Sequence, residues 1–366
     1  MLMTQVQKNI HWKHEWLYML PVVIVVFLVY VWSAPRTVVL EDDGLFILAA
    51  YFNGIAHPPG YPLYTLLSHL ATYLPFGSIA FRVHIFSAFL GALSCGALWW
   101  LSRLIMPGKL FAYTASFVYG FSNIFWSQAI VAEVYTLNVL LFLLILILCL
   151  NYKVAQSRSI LFSTAFVYGL ALSNHWPLII LSTPLLLCIT WSARNHFIKN
   201  LPATILFIVL GLIPYLWMVI RSQMDPVISF YGSINNLQDL LFIISRKGYE
   251  LVDTSPSAGL FDKLQFIVFS LKETVRQFGF TGIVFVVIGF IYQWRLWPRW
   301  LSMGLLAGYL CNTILLIFLL DFDYDLIHRS VFRVYPLIAY LVVALWLALG
   351  VYKIIEIAVK RDFITL

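Results

Sequence analysis

Charge is scarce in this sequence. Only 11% of its 366 residues are Asp, Glu, Lys or Arg, while 62% are hydrophobic. A water-soluble domain carries about 25% charged residues, so this chain has too little charge to clothe a solvated surface. Other signatures are missing too. No phosphate-cradling Gly-rich loop, Gly-x-Ser-x-Gly elbow or Cys metal set occurs, which disfavours nucleotide hydrolysis and serine-type acyl transfer. No linker rich in Gly, Ser or Pro divides the chain and no internal repeat stands out, so residues 1–366 read as a single domain. The four cysteines, Cys95, Cys149, Cys188 and Cys311, all fall in apolar runs. There they read as small buried hydrophobes and not as a disulfide framework.

Long apolar runs are what the sequence has in place of charge, for example Leu137–Leu150 and Ile283–Ile291. Crossing about 30 Å of hydrocarbon takes roughly 20 mostly apolar residues. The windows that qualify predict an all-α polytopic membrane protein of about ten spans. They lie near 17–33, 82–102, 110–126, 131–150, 159–174, 176–192, 201–220, 279–293, 300–320 and 334–352. Residues 264–275 read as a further membrane-surface helix. The basic start before 17–33 has the form of a signal peptide, but Ser33-Ala34-Pro35 leads into an acidic loop with no small-residue cleavage pattern. That run is therefore expected to be the first membrane helix.

The net charge of +7 is a matter of membrane topology, not of nucleic-acid binding, because Lys and Arg concentrate in short cytoplasmic loops. With the N-terminus cytoplasmic, each short inner loop carries two basic residues: Arg103 and Lys109, Lys153 and Arg158, Arg194 and Lys199, Arg295 and Arg299. Nearly all acids then fall outside, including Glu41, Asp42, Asp43, Asp239, Glu250, Asp253, Glu273 and Asp321 to Asp325. Function is expected on the outer face. Two outer segments are long, 34–81 and 221–278, and long loops on a rigid scaffold tend to carry function. In the first, two short surface helices, near 44–56 and 63–74, flank His57-Pro58-Pro59-Gly60-Tyr61-Pro62. Its prolines exclude helix and predict a rigid extended turn.

Several polar residues stand out against this background. Asp42 and Asp43 open the first surface helix. Carboxylates suit a helix N-terminus, yet capping needs one and Glu41 makes three. Glu133 lies near the outer end of a span, where an ionisable residue is costly and marks a functional candidate; Tyr135 and Asn138 extend the polar patch. His175, in Ser173-Asn174-His175-Trp176-Pro177, sits at an outer helix end and can meet phosphate or donate a proton. It has no second His at a ligand spacing. The second outer segment supplies Arg246, Lys247 and Tyr249, and Arg333 lies beyond the ninth span. Arg binds phosphate bidentately. Carboxylates facing basic groups at a membrane surface suit transfer from a lipid-linked phosphate donor to a hydroxyl acceptor. Such a reaction needs one base and cationic stabilisation of the leaving phosphate.

The motifs resemble the protein O-mannosyltransferase-like family of GT-C membrane glycosyltransferases. The likeness runs from Asp42-Asp43-Gly44-Leu45-Phe46 through His57-Pro58-Pro59-Gly60-Tyr61-Pro62 to Ala132-Glu133-Val134-Tyr135-Thr136-Leu137-Asn138 and Gly169-Leu170-Ala171-Leu172-Ser173-Asn174-His175. It continues more weakly to Arg246–Tyr249. The resemblance implies a GT-C fold and a polyprenyl-phosphate sugar donor. It also implies an acceptor protein or glycan, with an Asp of the first loop, here Asp42, as base. Asp43 stands where the family usually has a small polar residue, and Leu45 where it often has Glu. The resulting expectation is an inverting glycosyltransferase in a bacterial inner membrane, its site facing the periplasm or exterior. Asp42, Asp43 and Glu133 are the expected catalytic carboxylates. His57, Tyr61, Tyr135, Asn138, His175, Arg246, Tyr249 and Arg333 are the expected substrate contacts, and membrane lipids surround them. No metal ligand set is expected, although a divalent cation is compatible with the carboxylates. A transporter of lipids or lipid-linked sugars and a non-catalytic subunit of a membrane complex remain alternatives.

Overall fold

Hydrocarbon offers a backbone no hydrogen-bond partners, so a spanning segment must satisfy its own N–H and C=O groups, which an α-helix does. The computed structural model, which describes residues 12–39, 42–106, 108–249, 254–255 and 257–364, follows this rule. Among the described residues the only extended pairing is an isolated bridge between Ile55 and Ser229. Eight helices are long and apolar enough to cross a membrane. The chain is a multi-pass integral membrane protein.

In chain order the helices are α1 (Trp12–Ser33), α2 (Asp43–Tyr51), α3 (Pro62–Ala71), α4 (Ile79–Ile105), α5 (Lys109–Gly120), α6 (Asn123–Ala129), α7 (Tyr135–Ala155) and α8 (Arg158–Thr190). They continue as α9 (Arg194–Lys199), α10 (Leu201–Gly211), α11 (Ile213–Ser222), α12 (Leu237–Ile244), α13 (Leu260–Leu296), α14 (Arg299–Leu310), α15 (Leu316–Leu320), α16 (Leu326–Val334) and α17 (Leu337–Ile364). The core gathers around α4, α7 and α17, whose buried faces include Trp99, Phe142 and Leu345.

Several expected spans take a different form. The run 110–126 is two helices, α5 and α6, broken at Phe121 and Ser122, where the Gly120 carbonyl accepts the Tyr30 hydroxyl of α1. The run 131–150 begins only at Tyr135, because residues 130–134 form a bend in which the Ala132 N–H is drawn to a side chain. The surface helix expected at 264–275 is the first part of α13, which continues into the expected 279–293 span across a break at Gly279. There φ is 69°, a left-handed value that glycine adopts without a Cβ penalty.

The adjacent runs 159–174 and 176–192 are joined in α8, which is a hairpin. His175 is non-helical (φ −144°, ψ 80°) with Pro177 just beyond. The Tyr168 hydroxyl lies 2.8 Å from Thr183 Oγ1, fifteen residues on; a straight helix would separate them by about 22 Å. Leu161 and Ala193, near the two ends of the hairpin, share one cluster with Tyr152.

Close helix pairs use small residues, as packing within a bilayer favours. A Cβ added to Gly289 of α13 would overlap the Trp346 carbonyl of α17, and one on Gly350 would overlap the Phe285 carbonyl. Gly169 and Gly211 bring α8 and α10 together in the same way. Polar contacts sort to two ends. At one, Glu15 pairs with Arg103 at 2.8 Å and Lys109 lies 3.1 Å from the Tyr18 ring centre. The other end carries α2, α3, α16 and the loops between α11 and α13.

Overpacking an interior costs about 1–3 kcal/mol. Gly350→Leu is therefore expected to lower the thermal midpoint of the detergent-solubilised protein markedly. Gly108→Ala, where no atom lies within 4 Å of the added methyl, should leave it unchanged. Equal midpoints for the two variants would refute this packing account.

Candidate active site

The local sequence explains why a cavity opens at the second end. In the expected turn, Gly60 N–H returns to the His57 carbonyl at 2.8 Å around a cis Pro58–Pro59 bond, and Pro62 starts α3 at its first turn. The turn is tight against α11, since a Cβ on Gly60 (φ 93°) would strike Met218. Residues after α11 hold the loop from the other side: Ile55 N–H meets the Ile228 carbonyl at 2.9 Å. The Arg221 guanidinium donates to the carbonyls of Asn53 (2.7 Å) and Phe52 (3.2 Å). A cation on those carbonyls is favoured by the negative end of the α2 dipole.

The resulting cavity of about 300 Å³ is lined by Asp42, Phe46, His57, Tyr61, Glu133, Tyr135, Arg246 and Tyr249, with Phe322, Ile327, His328, Val331 and Tyr335 closing the far wall. Asp42 flanks α2 but its side chain makes no cap hydrogen bond. It lies 3.2 Å from His57 Nε2 instead, and remains 54% exposed. His57 is buried against the rings of Phe46, Tyr61 and Tyr249, at 5.4, 5.1 and 5.7 Å between centroids. Glu133 is only 6% exposed.

Arg246 is in the left-handed region at φ 61°, a conformation that costs a non-glycine residue energy and often marks a site. Its Nη1 donates to the Pro58 carbonyl at 2.9 Å and to the Tyr61 hydroxyl at 3.2 Å. Tyr61 is also left-handed, at φ 44°. Burial pushes its phenol well above the usual range, with the Arg246 charge opposing, so it stays protonated. On the far wall, His328 Nδ1 lies 2.6 Å from Asp325, whose carboxyl is held below the usual range by the His328 backbone N–H.

A second cavity, of about 380 Å³, adjoins the first. Its walls are mostly apolar: Trp176, Pro177, Leu178, Ile180, Leu181, Leu316, Leu319 and Leu320, with His175. Arg246 and Tyr335 line both cavities. His175 stacks on Tyr61 at 5.7 Å, with 29° between the ring planes.

The fold thus brings together Asp42, Glu133, His57, Tyr61, Tyr135, Arg246 and Tyr249, and sets His175 on the neighbouring wall. Three expected residues stand elsewhere. Asp43 is 1% exposed, with both carboxylate oxygens taken by donors inside the protein. Asn138 is buried within α7, one turn beyond the cavity residues. Arg333 pairs with Glu273 (3.3 Å) and Asn123 (3.0 Å). On α16 it shares a face with Arg329, four residues earlier, while Ile327, His328 and Val331 face the cavity. Phe46, His328 and Tyr335 were not anticipated. Helical spacing from Val331 could have pointed to His328, whereas a lone Tyr before Pro336 carries no such signal. Glu41, Glu250 and Asp253 lie outside the described residues. Among the described residues no three His, Cys, Asp or Glu side chains converge as a metal site would require.

The chain is similar to known proteins in sequence and in fold. Residues 42–198 match the model of the protein O-mannosyl-transferase TMEM260 N-terminal domain. The mouse protein O-mannosyl-transferase TMEM260 is 30% identical over 233 residues, covering 60% of this chain and 33% of that protein. The Dictyostelium discoideum protein of the same name is 24% identical over 291 residues, covering 72% and 35%. The chain therefore spans about a third of the length of the curated relatives it matches. Its fold is similar to that of ArnT from Cupriavidus metallidurans, crystallised with undecaprenyl phosphate. The TM-score is 0.61 at 14% identity, over 92% of this chain and 60% of that one. The GT-C-type helical architecture expected from the motifs is the one observed.

Arg246 ties the second long loop to the turn. Arg246→Ala is expected to raise amide hydrogen exchange across residues 57–62 while α4 and α7 stay protected. Exchange unchanged at the turn would show that Arg246 does not hold it.

Proposed function

We propose that this chain is a membrane glycosyltransferase. In this reading it moves a sugar from a polyprenyl-phosphate donor to a hydroxyl of a protein or glycan acceptor, with Asp42 as general base. The observation that carries the reading is the use made of Asp42. It stands at a helix start yet caps nothing, and it shares a cavity with Glu133 and the guanidinium of Arg246. The likeness to O-mannosyl-transferases over residues 42–198 supports the reaction class. The undecaprenyl phosphate bound by ArnT supports the donor class.

The two cavities suit the two halves of such a donor. An isoprenoid chain fits the apolar one, the sugar fits the polar one, and the phosphate falls where they meet, at Arg246 and Tyr335. Arg offers a planar fork of donors that matches phosphate oxygens. The acceptor hydroxyl gives its proton to Asp42, its oxygen bonds to the anomeric carbon, and the bond from that carbon to the phosphate oxygen breaks. The polyprenyl phosphate leaves as an anion and needs no strong acid. His57 steadies Asp42 through the 3.2 Å contact. Glu133 offsets positive charge developing on the sugar. One direct displacement inverts the anomeric configuration.

The site faces the extracytoplasmic side in this reading. Arg103, Lys109 and Lys153 lie at the opposite end of the bundle, where the positive-inside rule sets the cytoplasm.

The test is turnover of a radiolabelled polyprenyl-phosphate sugar by the purified chain. General-base catalysis contributes about 10²–10⁴-fold, so Asp42→Asn should lower kcat by that order and leave the donor KM nearly unchanged. Arg246→Met should raise the donor KM. Full activity in Asp42→Asn, or a product with retained configuration, would overturn the assignment. Donor movement across vesicles without cleavage would point to transport.

A further inference from the structure

Asp43 and His84 lie outside both cavities, yet their contacts land beside residues that line one. Asp43 directly follows Asp42. Its Oδ1 accepts the N–H of Ala132 at 2.7 Å, and Ala132 directly precedes Glu133. The same oxygen meets His84 Nε2 at 2.8 Å, and Oδ2 accepts the Val39 N–H at 2.9 Å. His84, on α4, turns Nδ1 to the Pro35 carbonyl at 2.9 Å.

A carbonyl has no proton to give, so Nδ1 donates to it; at Nε2 the partner is a carboxylate that already accepts the Ala132 N–H. The ring therefore bridges Pro35 and Asp43 through both of its nitrogens. The two side chains are 0% and 1% exposed, so water does not stand in for either partner. A buried carboxylate without such donors would be costly. Satisfying it draws three chain segments, residues 35–39, His84 and Ala132, onto one group. Ala132 adjoins Glu133, and Asp43 itself adjoins Asp42.

We infer that the Asp43–His84 pair is the positioning device for the two reacting carboxylates, setting Asp42 and Glu133 relative to each other across the cavity. This rests on the reading of Asp42 and Glu133 given above. It also assigns Asp43 a role through its neighbours in place of contact with substrate.

The experiment uses the full chain in lipid nanodiscs with polyprenyl-phosphate mannose as the probe, comparing His84→Gln and Asp43→Asn in wild-type and Asp42→Asn backgrounds. Gln can still donate one N–H to Asp43 but cannot also reach Pro35. Asn loses the acceptor for one backbone N–H. In the wild-type background each is expected to lower kcat tenfold or more, with the donor KM within a factor of two. In Asp42→Asn the added substitution should lower residual turnover much less, because the group being positioned is already gone. A general structural defect would cost the same factor in both backgrounds, and that result would overturn the proposal.

Two readouts are independent of turnover. Nitrogen NMR of histidine-labelled protein should show one ring hydrogen-bonded at both nitrogens, a signal that vanishes in His84→Gln. Hydrogen exchange in that variant should rise at 36–39 and 130–134 while α7 and α17 stay protected. Absence of that signal, or unchanged exchange at both segments, would also overturn it. If the wild type turns over no donor, the glycosyltransferase reading fails, and these two readouts still decide whether the pair holds the two segments.

Discussion

A carboxylate buried in a membrane protein has to be matched by donors, and the polar end of this molecule is organised around meeting that demand at Asp43. His84, the preceding residues 35–39 and the bend at Ala132, 89 residues on, converge around it. The convergence explains two departures from regular helix. Ala132 gives its N–H to a side chain, so α6 does not run on through the bend into α7, and Val39 gives its N–H to the same carboxylate. Breaking one partner of such a pair leaves an uncompensated buried charge, which costs about 3–5 kcal/mol. Asp42 and Glu133 gain a fixed frame without having to satisfy the interior themselves.

The rest of the helical body answers a different constraint. Backbone groups in hydrocarbon must be satisfied within each segment, and helices that share no hydrophobic driving force pack where small residues let them approach. Gly289 against Trp346, and Gly169 against Gly211, are such approaches. Near the polar end, regular backbone gives way at His175, at Gly279, at the turn of His57 to Gly60, and in the bend of residues 130–134. Three of these four breaks contribute residues to the two cavities. Irregular backbone is tolerated there because it is buried in protein or lines a hollow.

The polar and apolar cavities share Arg246 and Tyr335, which gives the site its direction. An amphiphilic molecule with an anionic junction can lie across the two hollows with its charge at the guanidinium. Arg246 is held in a left-handed conformation and bonded to the turn that also carries His57. The loop that meets the phosphate in the proposed reaction is thus tied mechanically to the loop that carries the base.

Composition and hydropathy determined the multi-pass membrane class and most of the long apolar helices, because crossing hydrocarbon imposes a length and a polarity that one segment displays alone. The prolines of His57 to Pro62 and the isolated Glu133 were legible for the same reason: each is a local conflict with helix or with hydrocarbon. Whether neighbouring acids share a role was not legible. Asp42 and Asp43 are adjacent, yet one faces a cavity and the other a buried histidine 41 residues away. Arg333 reads as well as Arg246 for phosphate, but α16 turns it towards Glu273 and gives the cavity wall to His328. Side-chain direction on a short helix and the partner of a buried charge depend on what packs against them, and only the tertiary structure brings those partners together.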